Sequence, residues 1–215
     1  MKILVTGFDP FENEPLNPSW EAVRRLPDTV EGAEVVKVQI PTSFGRAADV
    51  VHAAILEHDP DVVVSVGQAG GRFAISPERV AINVDDGRIP DNDGNQPIDV
   101  PIQADGPPAY FSSLPVKAMV TAMKNAGIPA LVSNTAGTYV CNHIMYSVLY
   151  MIDREFPNKR GGFVHVPYTP QQVVDKPGQP ALGIEDMATA LSAGLAAIVE
   201  YQDKPDERSV GGAIH

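Results

Sequence analysis

The sequence predicts an α/β fold: a three-layer α/β/α sandwich built on a mostly parallel, mixed central sheet. Three observations carry this prediction. Short apolar runs rich in β-branched residues recur along the chain. Between them lie longer segments whose apolar residues repeat at helical spacing, as expected where crossover helices join parallel strands. The residues with unusual chemistry fall just after the apolar runs, on the side of such a sheet where ligands bind.

The first run, Lys2–Thr6 (KILVT), ends at Gly7 and reads as a buried strand. A Pro- and Asn-rich loop follows. Asn17-Pro18 has the form of an N-cap followed by proline at the first helical position, opening a helix to about Leu26. Val35–Ile40 reads as a strand. Ser43–His58 carries a helical stripe of Phe44, Ala47, Val51, Ala54 and Ile55. Val62–Val66 (VVVSV) is a buried strand bounded by Pro60 and Gly67, and Arg79–Val84 (RVAINV) reads as another strand. Asp85–Pro108 is crowded with Asp, Asn, Gly and Pro, and a loop of that length in a compact domain is usually functional or disordered.

Pro115–Ala126 reads as a helix ended by Gly127, and Ala130–Ser133 as a strand. Tyr139–Phe156 is an amphipathic helix with Ile144, Met145, Val148, Leu149 and Ile152 on one stripe. Gly162–Val166 is the last strand and Ile184–Gln202 the last helix. This gives one domain over 1–202, followed by a polar tail, 203–215, expected to fray.

Composition narrows the function. The 215 residues include 27 acidic and 16 basic ones, for a formal net charge of -11. No Lys/Arg run supplies the basic footprint that nucleic acid requires. The single cysteine excludes an internal disulfide and any zinc site built on several thiolates. MKILVTGF is too short for a secretory signal, and no apolar stretch approaches the ~20 residues that span a bilayer. A reducing, cytoplasmic setting without membrane attachment is expected.

Cys141 lies at the start of a helix, where unpaired N–H groups and the dipole favour a thiolate and are placed to hold an oxyanion. The plainer reading is a small buried apolar residue. A thiol nucleophile needs a histidine base. His215 is in the tail, His52 lies within a helix and His58 ends it. His143 is two residues from Cys141, a spacing that does not face it on a helix. His165 ends the last strand on the ligand side of the sheet. A carboxylate should orient the imidazole, and Glu78 and Asp91 are both in range. For Glu78 the plainer reading is an ion pair with Arg79 or Arg72; for Asp91, an Asx turn in PDND. The segment Gly67–Gly71 (GQAGG) fits neither dinucleotide nor P-loop spacing, which leaves close backbone approach to a small ligand. Phe8 and Phe11 flank the first loop, as pocket walls or as loop packing.

Seven segments, in order and nearly spanning the chain, resemble the pyrrolidone carboxyl peptidase (pyroglutamyl peptidase I) family of cysteine peptidases. They are TGFDPF (6–11), NPSWEA (17–22), GQAGGR (67–72), ERVAIN (78–83), RIPDN (88–92), SNTAGTYVCN (133–142) and GFVHVPY (162–168). The resemblance implies an α/β/α sandwich, hydrolysis after an N-terminal pyroglutamyl residue through a thioester, a homotetramer, and no cofactor or metal. It places a Glu–Cys–His triad on Glu78, Cys141 and His165, with Asp91 at a further acidic position. It places the substrate pocket on Phe8 and Phe11, with Gln68, Ile89, Tyr139 and Val140. Tyr139 stands where the family often has Phe. Arg88 and the Cys141 N–H become candidates for the oxyanion site. A cysteine esterase or amidase for other cyclic amides, and a non-catalytic binding protein, are the rival readings.

Overall fold

The computed structural model describes residues 1–12 and 14–212, so His215 lies outside the described residues. In chain order the elements are β1 (Lys2–Phe8), α1 (Pro18–Val23), β2 (Thr29–Val30), β3 (Ala33–Ile40), α2 (Ala47–His58), β4 (Val62–Gln68), β5 (Ser76–Pro77), β6 (Val80–Ile82), β7 (Ala109–Phe111), α3 (Val116–Asn125), α4 (Val140–Arg154), β8 (Arg160–Val166), a 3-10 turn (Pro170–Val173) and α5 (Ile184–Glu200). Six strands form one sheet in the order β2-β3-β1-β4-β8-β5. The inner pairs β3/β1, β1/β4 and β4/β8 are parallel, and the short edge strands β2 and β5 are antiparallel. The fold is the expected mixed, mostly parallel α/β sandwich.

Strand side chains alternate between faces, and the core divides accordingly. Ile3, Val5, Val62, Val64, Val66, Val164 and Val166 pack under α1, α3 and α5. Leu4, Phe8, Val63 and Phe163 pack under α2 and α4. Both faces are covered, which is why these strands read as continuous apolar runs rather than alternating ones.

One expected strand stands apart from the main sheet, and two expectations need correction. RVAINV does not join the main sheet; β6 pairs with β7 in a separate two-stranded ribbon. The Asn142 side chain holds it there, accepting from Ile82 N–H and donating to the Ile82 and Val84 carbonyls. Residues 130–133 form bridges to Ile75 and Glu78 but no named strand, because Pro77 has no N–H with which to continue the ladder. The tail is docked as far as Gly211, whose carbonyl accepts from Arg79, rather than frayed. The start of α3 has no side-chain cap of its own, and the Asp206 carboxylate supplies one, accepting from the N–H groups of Lys117 and Ala118 at 3.0 Å each. Thr121 Oγ1 donates to Glu207 beside it.

Candidate active site

The loop before α4 ends at Tyr139, whose extended backbone caps the helix without a side-chain hydrogen bond. Cys141 is therefore the second helical residue, among N–H groups that the helix itself leaves unpaired. Its sulfur rests on β4: a Cβ built on Gly67 would stand 2.7 Å from Cys141 Sγ and 2.7 Å from the Phe163 ring. Gly67 is the register partner of His165 on β8. The close approach expected of the GQAGG turn is thus made, but to side chains of this chain; Gly70 likewise abuts the Tyr168 ring.

His165 is buried, and its Nδ1–H donates to Glu78 Oε1 at 2.7 Å. Glu78 has no exposed surface. Its Oε1 also accepts from Arg72 Nη1 at 2.7 Å, and Arg72 Nη2 donates to the Thr135 carbonyl. The ion pair with Arg72 and the bond to histidine therefore coexist on one oxygen. Glu78 Oε2 is buried with no hydrogen-bond partner among the described residues.

The electrostatics favour a neutral thiol beside a neutral imidazole. Burial, with the Glu78 charge adding to it, pushes the Cys141 thiol up to about 12, while Arg72 pulls the other way. Burial lowers the His165 pKa, opposed by Glu78. The helix start had suggested a thiolate; desolvation outweighs that dipole, worth typically ~0.3–1 kcal/mol.

Beside the sulfur is a cavity of about 180 Å³ whose lining includes Phe8, Phe11, Gln68, Arg88, Tyr139 and Val140. Phe11 and Tyr139 meet at 5.5 Å between centroids with their rings tilted by 49°, and Phe44 meets Tyr139 edge-on at 5.2 Å. The Tyr139 hydroxyl donates to the Pro90 carbonyl, and burial raises its pKa, so it remains a donor. Tyrosine in place of phenylalanine therefore keeps a ring in the wall and adds a tether to the 85–108 loop. Arg88 is largely exposed at the rim, 3.9 Å from Glu12.

Two of the residues that the resemblance singled out, Ile89 and Asp91, lie outside the cavity lining. Ile89 is half-buried and does not line the cavity. Asp91 is buried and organises its own loop, accepting from the N–H groups of Phe44, Asp93 and Asn95. That is the Asx-type role open to it from the sequence, and it leaves the imidazole to Glu78. His143 pairs with Asp85 at 2.8 Å, and its ring packs edge-on against Phe44. Gly67 and Tyr168 went unassigned in the sequence. The signal for Gly67 was its place at the end of β4, level with His165.

Among the described residues, no cluster of three or more His, Cys, Asp or Glu is placed to hold a metal ion. No described helix is long and apolar enough to cross a membrane.

A sequence profile of the pyroglutamyl peptidase family matches residues 1–201. The pyrrolidone-carboxylate peptidase of Lactobacillus johnsonii is 57% identical over 215 residues, covering 100% of both chains. The crystal structure of pyroglutamyl peptidase I from Bacillus amyloliquefaciens superposes with a TM-score of 0.92 at 47% identity, covering 97% of this chain and 99% of that one. The pyrrolidone carboxyl peptidase of Thermococcus litoralis superposes at 0.93 with 36% identity, over 97% and 99%. With its length matched throughout, and a cysteine, a histidine and a carboxylate converging beside a small aromatic cavity, the chain belongs to the pyroglutamyl peptidase I family of cysteine peptidases.

Proposed function

We propose that Cys141, His165 and Glu78 carry out the family's reaction in this chain, the removal of an N-terminal pyroglutamyl residue from a peptide. The observation that carries this assignment is the 2.7 Å bond from His165 Nδ1–H to Glu78, on the strand position level with the glycine under Cys141 Sγ. With Nδ1 protonated, the Nε2 lone pair is free to act as the base.

The pyroglutamyl ring enters the cavity between Phe8, Phe11 and Tyr139. His165 takes the thiol proton as sulfur attacks the pyroglutamyl carbonyl, which avoids an isolated thiolate at the half-buried Cys141. The oxyanion forms at the start of α4, where the Cys141 N–H is unpaired within the helix, with Arg88 at the rim able to swing toward it. Collapse breaks the C–N bond, and the imidazolium returns its proton to the leaving amine. Water, deprotonated by His165, then hydrolyses the thioester and restores the thiol.

We also propose that residues 1–202 form the catalytic domain, that the chain works in the cytoplasm, and that it assembles as a homo-oligomer, a tetramer by family resemblance. The lone cysteine fits a reducing compartment. Phe73 and Phe111 are 66% and 70% exposed, surface of the kind a subunit contact covers. The test of the assignment is Cys141→Ser, assayed on a pyroglutamyl anilide. Activity should fall by at least ~10³-fold in a folded protein, and a Ser variant of near wild-type rate removes Cys141 from the mechanism.

A further inference from the structure

We infer that Arg72 is a positioning residue for this reaction: its guanidinium keeps Glu78 ionised and so fixes the His165 tautomer that can accept the Cys141 proton. The inference rests on the reading of Cys141, His165 and Glu78 given above.

Glu78 is completely buried, and one of its oxygens has no partner among the described residues. A carboxylate in such a place takes up a proton unless a cation pairs with it. The salt-bridge partners of Glu78 among the described residues are Arg72 and His165. Arg79, next in the chain, is committed elsewhere, with Nε on Asn134 Oδ1 and Nη2 on the Gly211 carbonyl. A protonated His165 would neutralise Glu78 but would leave no base for the thiol. Arg72 is thus the one partner whose charge leaves the imidazole neutral.

The consequence for the tautomer is direct. An ionised Glu78 only accepts, so Nδ1 holds the proton and Nε2 is the free base. A neutral Glu78 is also a donor. Its O–H can point at Nδ1 and move the ring proton to Nε2, where it blocks the transfer from sulfur. The geometry of Arg72 suits the role. One guanidinium nitrogen holds Glu78 and the other holds the Thr135 carbonyl, so the fork is pinned at both ends. The charged groups bearing on His165 are Glu78 and Arg72, and the same two bear on Cys141.

The test compares the wild type with Arg72→Gln, Arg72→Lys and Cys141→Ala on a pyroglutamyl anilide, with kcat and KM followed from about pH 5 to about pH 10. Arg72→Gln should lose at least ~10²-fold in kcat with KM changed less than about threefold. Both limbs of its kcat/KM profile should move down, because a neutral Glu78 no longer raises the His165 and Cys141 pKa values, and its effect on each is larger than the opposing effect of Arg72. Arg72→Lys keeps the charge, so its limbs should stay in place and its kcat within ~10-fold of wild type. A Gln variant with unmoved limbs overturns the inference, whatever its kcat. If the Gln variant does not fold, a Lys variant losing more than ~10-fold overturns it. Residual activity in Cys141→Ala would instead sink the assignment of the nucleophile, which keeps the two failures apart.

Discussion

Gly67 and His165 are lateral partners in the parallel register of β4 and β8, and the side chain that Gly67 lacks would occupy the place of the Cys141 sulfur. Parallel neighbours project to the same face, so an empty position beside the histidine is what lets a residue from α4 settle there. Gly67→Ala should therefore displace the thiol or the helix start. Overpacking of this kind costs about 1–3 kcal/mol of stability, and a misplaced nucleophile about 10²-fold in rate. Thermal melts and kcat on the same preparation check both effects; a fully active Ala variant shows that the contact is slack.

The two histidine–carboxylate pairs should separate cleanly in kinetics. His165→Ala removes the base and should cost at least ~10³-fold in kcat. His143→Ala breaks only the bond to Asp85, beside Phe44, and should cost less than ~10-fold. Glu78→Gln should lower kcat, whereas Asp91→Asn should act mainly on KM and melting temperature. The amide of the latter puts an N–H where Asp91 now accepts from the Phe44 N–H or from Asp93 and Asn95. Equal kcat losses for the two carboxylate variants would contradict the assignment.

Stability should fall on both sides of neutrality, for opposite reasons. The His165 pKa is lowered in the folded state, so below about 6.5 the unfolded chain binds a proton that the fold refuses, and stability drops as pH falls. The Cys141 pKa is raised to about 12, so above about 8.5 the unfolded chain releases a proton that the fold retains, and stability drops as pH rises. Cys141→Ala should flatten the alkaline fall and leave the acid side unchanged. Melting temperatures across pH for the two proteins decide it.

Selectivity should follow the charge on the ring nitrogen. The lactam of pyroglutamate is neutral, and the cavity walls include Phe8, Phe11, Tyr139 and Val140. A prolyl substrate brings an ammonium into that space, costing several kcal/mol. The ratio of kcat/KM for pyroglutamyl over prolyl anilides should reach at least ~10³. A ratio below about ten would favour a broader cyclic amidase.

Much of this molecule was legible in its sequence because its signals are periodic. β1, β4 and β8 are unbroken apolar runs, and α4 and α5 carry clear stripes, so the layers and the helix start bearing Cys141 could be read directly. β2 and β5 have two residues each and β7 has three, too short to establish any period. The alternation in RVAIN announced a strand but not its partner, which depends on the Asn142 side chain from a distant helix. The choice between Glu78 and Asp91 was closed to sequence for the same reason. Both are acids near one motif, and only the course of the chain after Glu78 carries Asp91 off toward Phe44. The role of Asp206 as a cap for α3 has no local signature at all.

The undissociated state of Cys141 also bears on how long the protein survives. Thiolates, not thiols, attack peroxides and disulfides, and burial pushes the Cys141 pKa up and so disfavours the thiolate. The arrangement that makes the sulfur depend on His165 for activation therefore also shelters it between turnovers. Substrate fills the cavity beside the sulfur and acylation then caps it, so oxidative inactivation should slow when substrate is present.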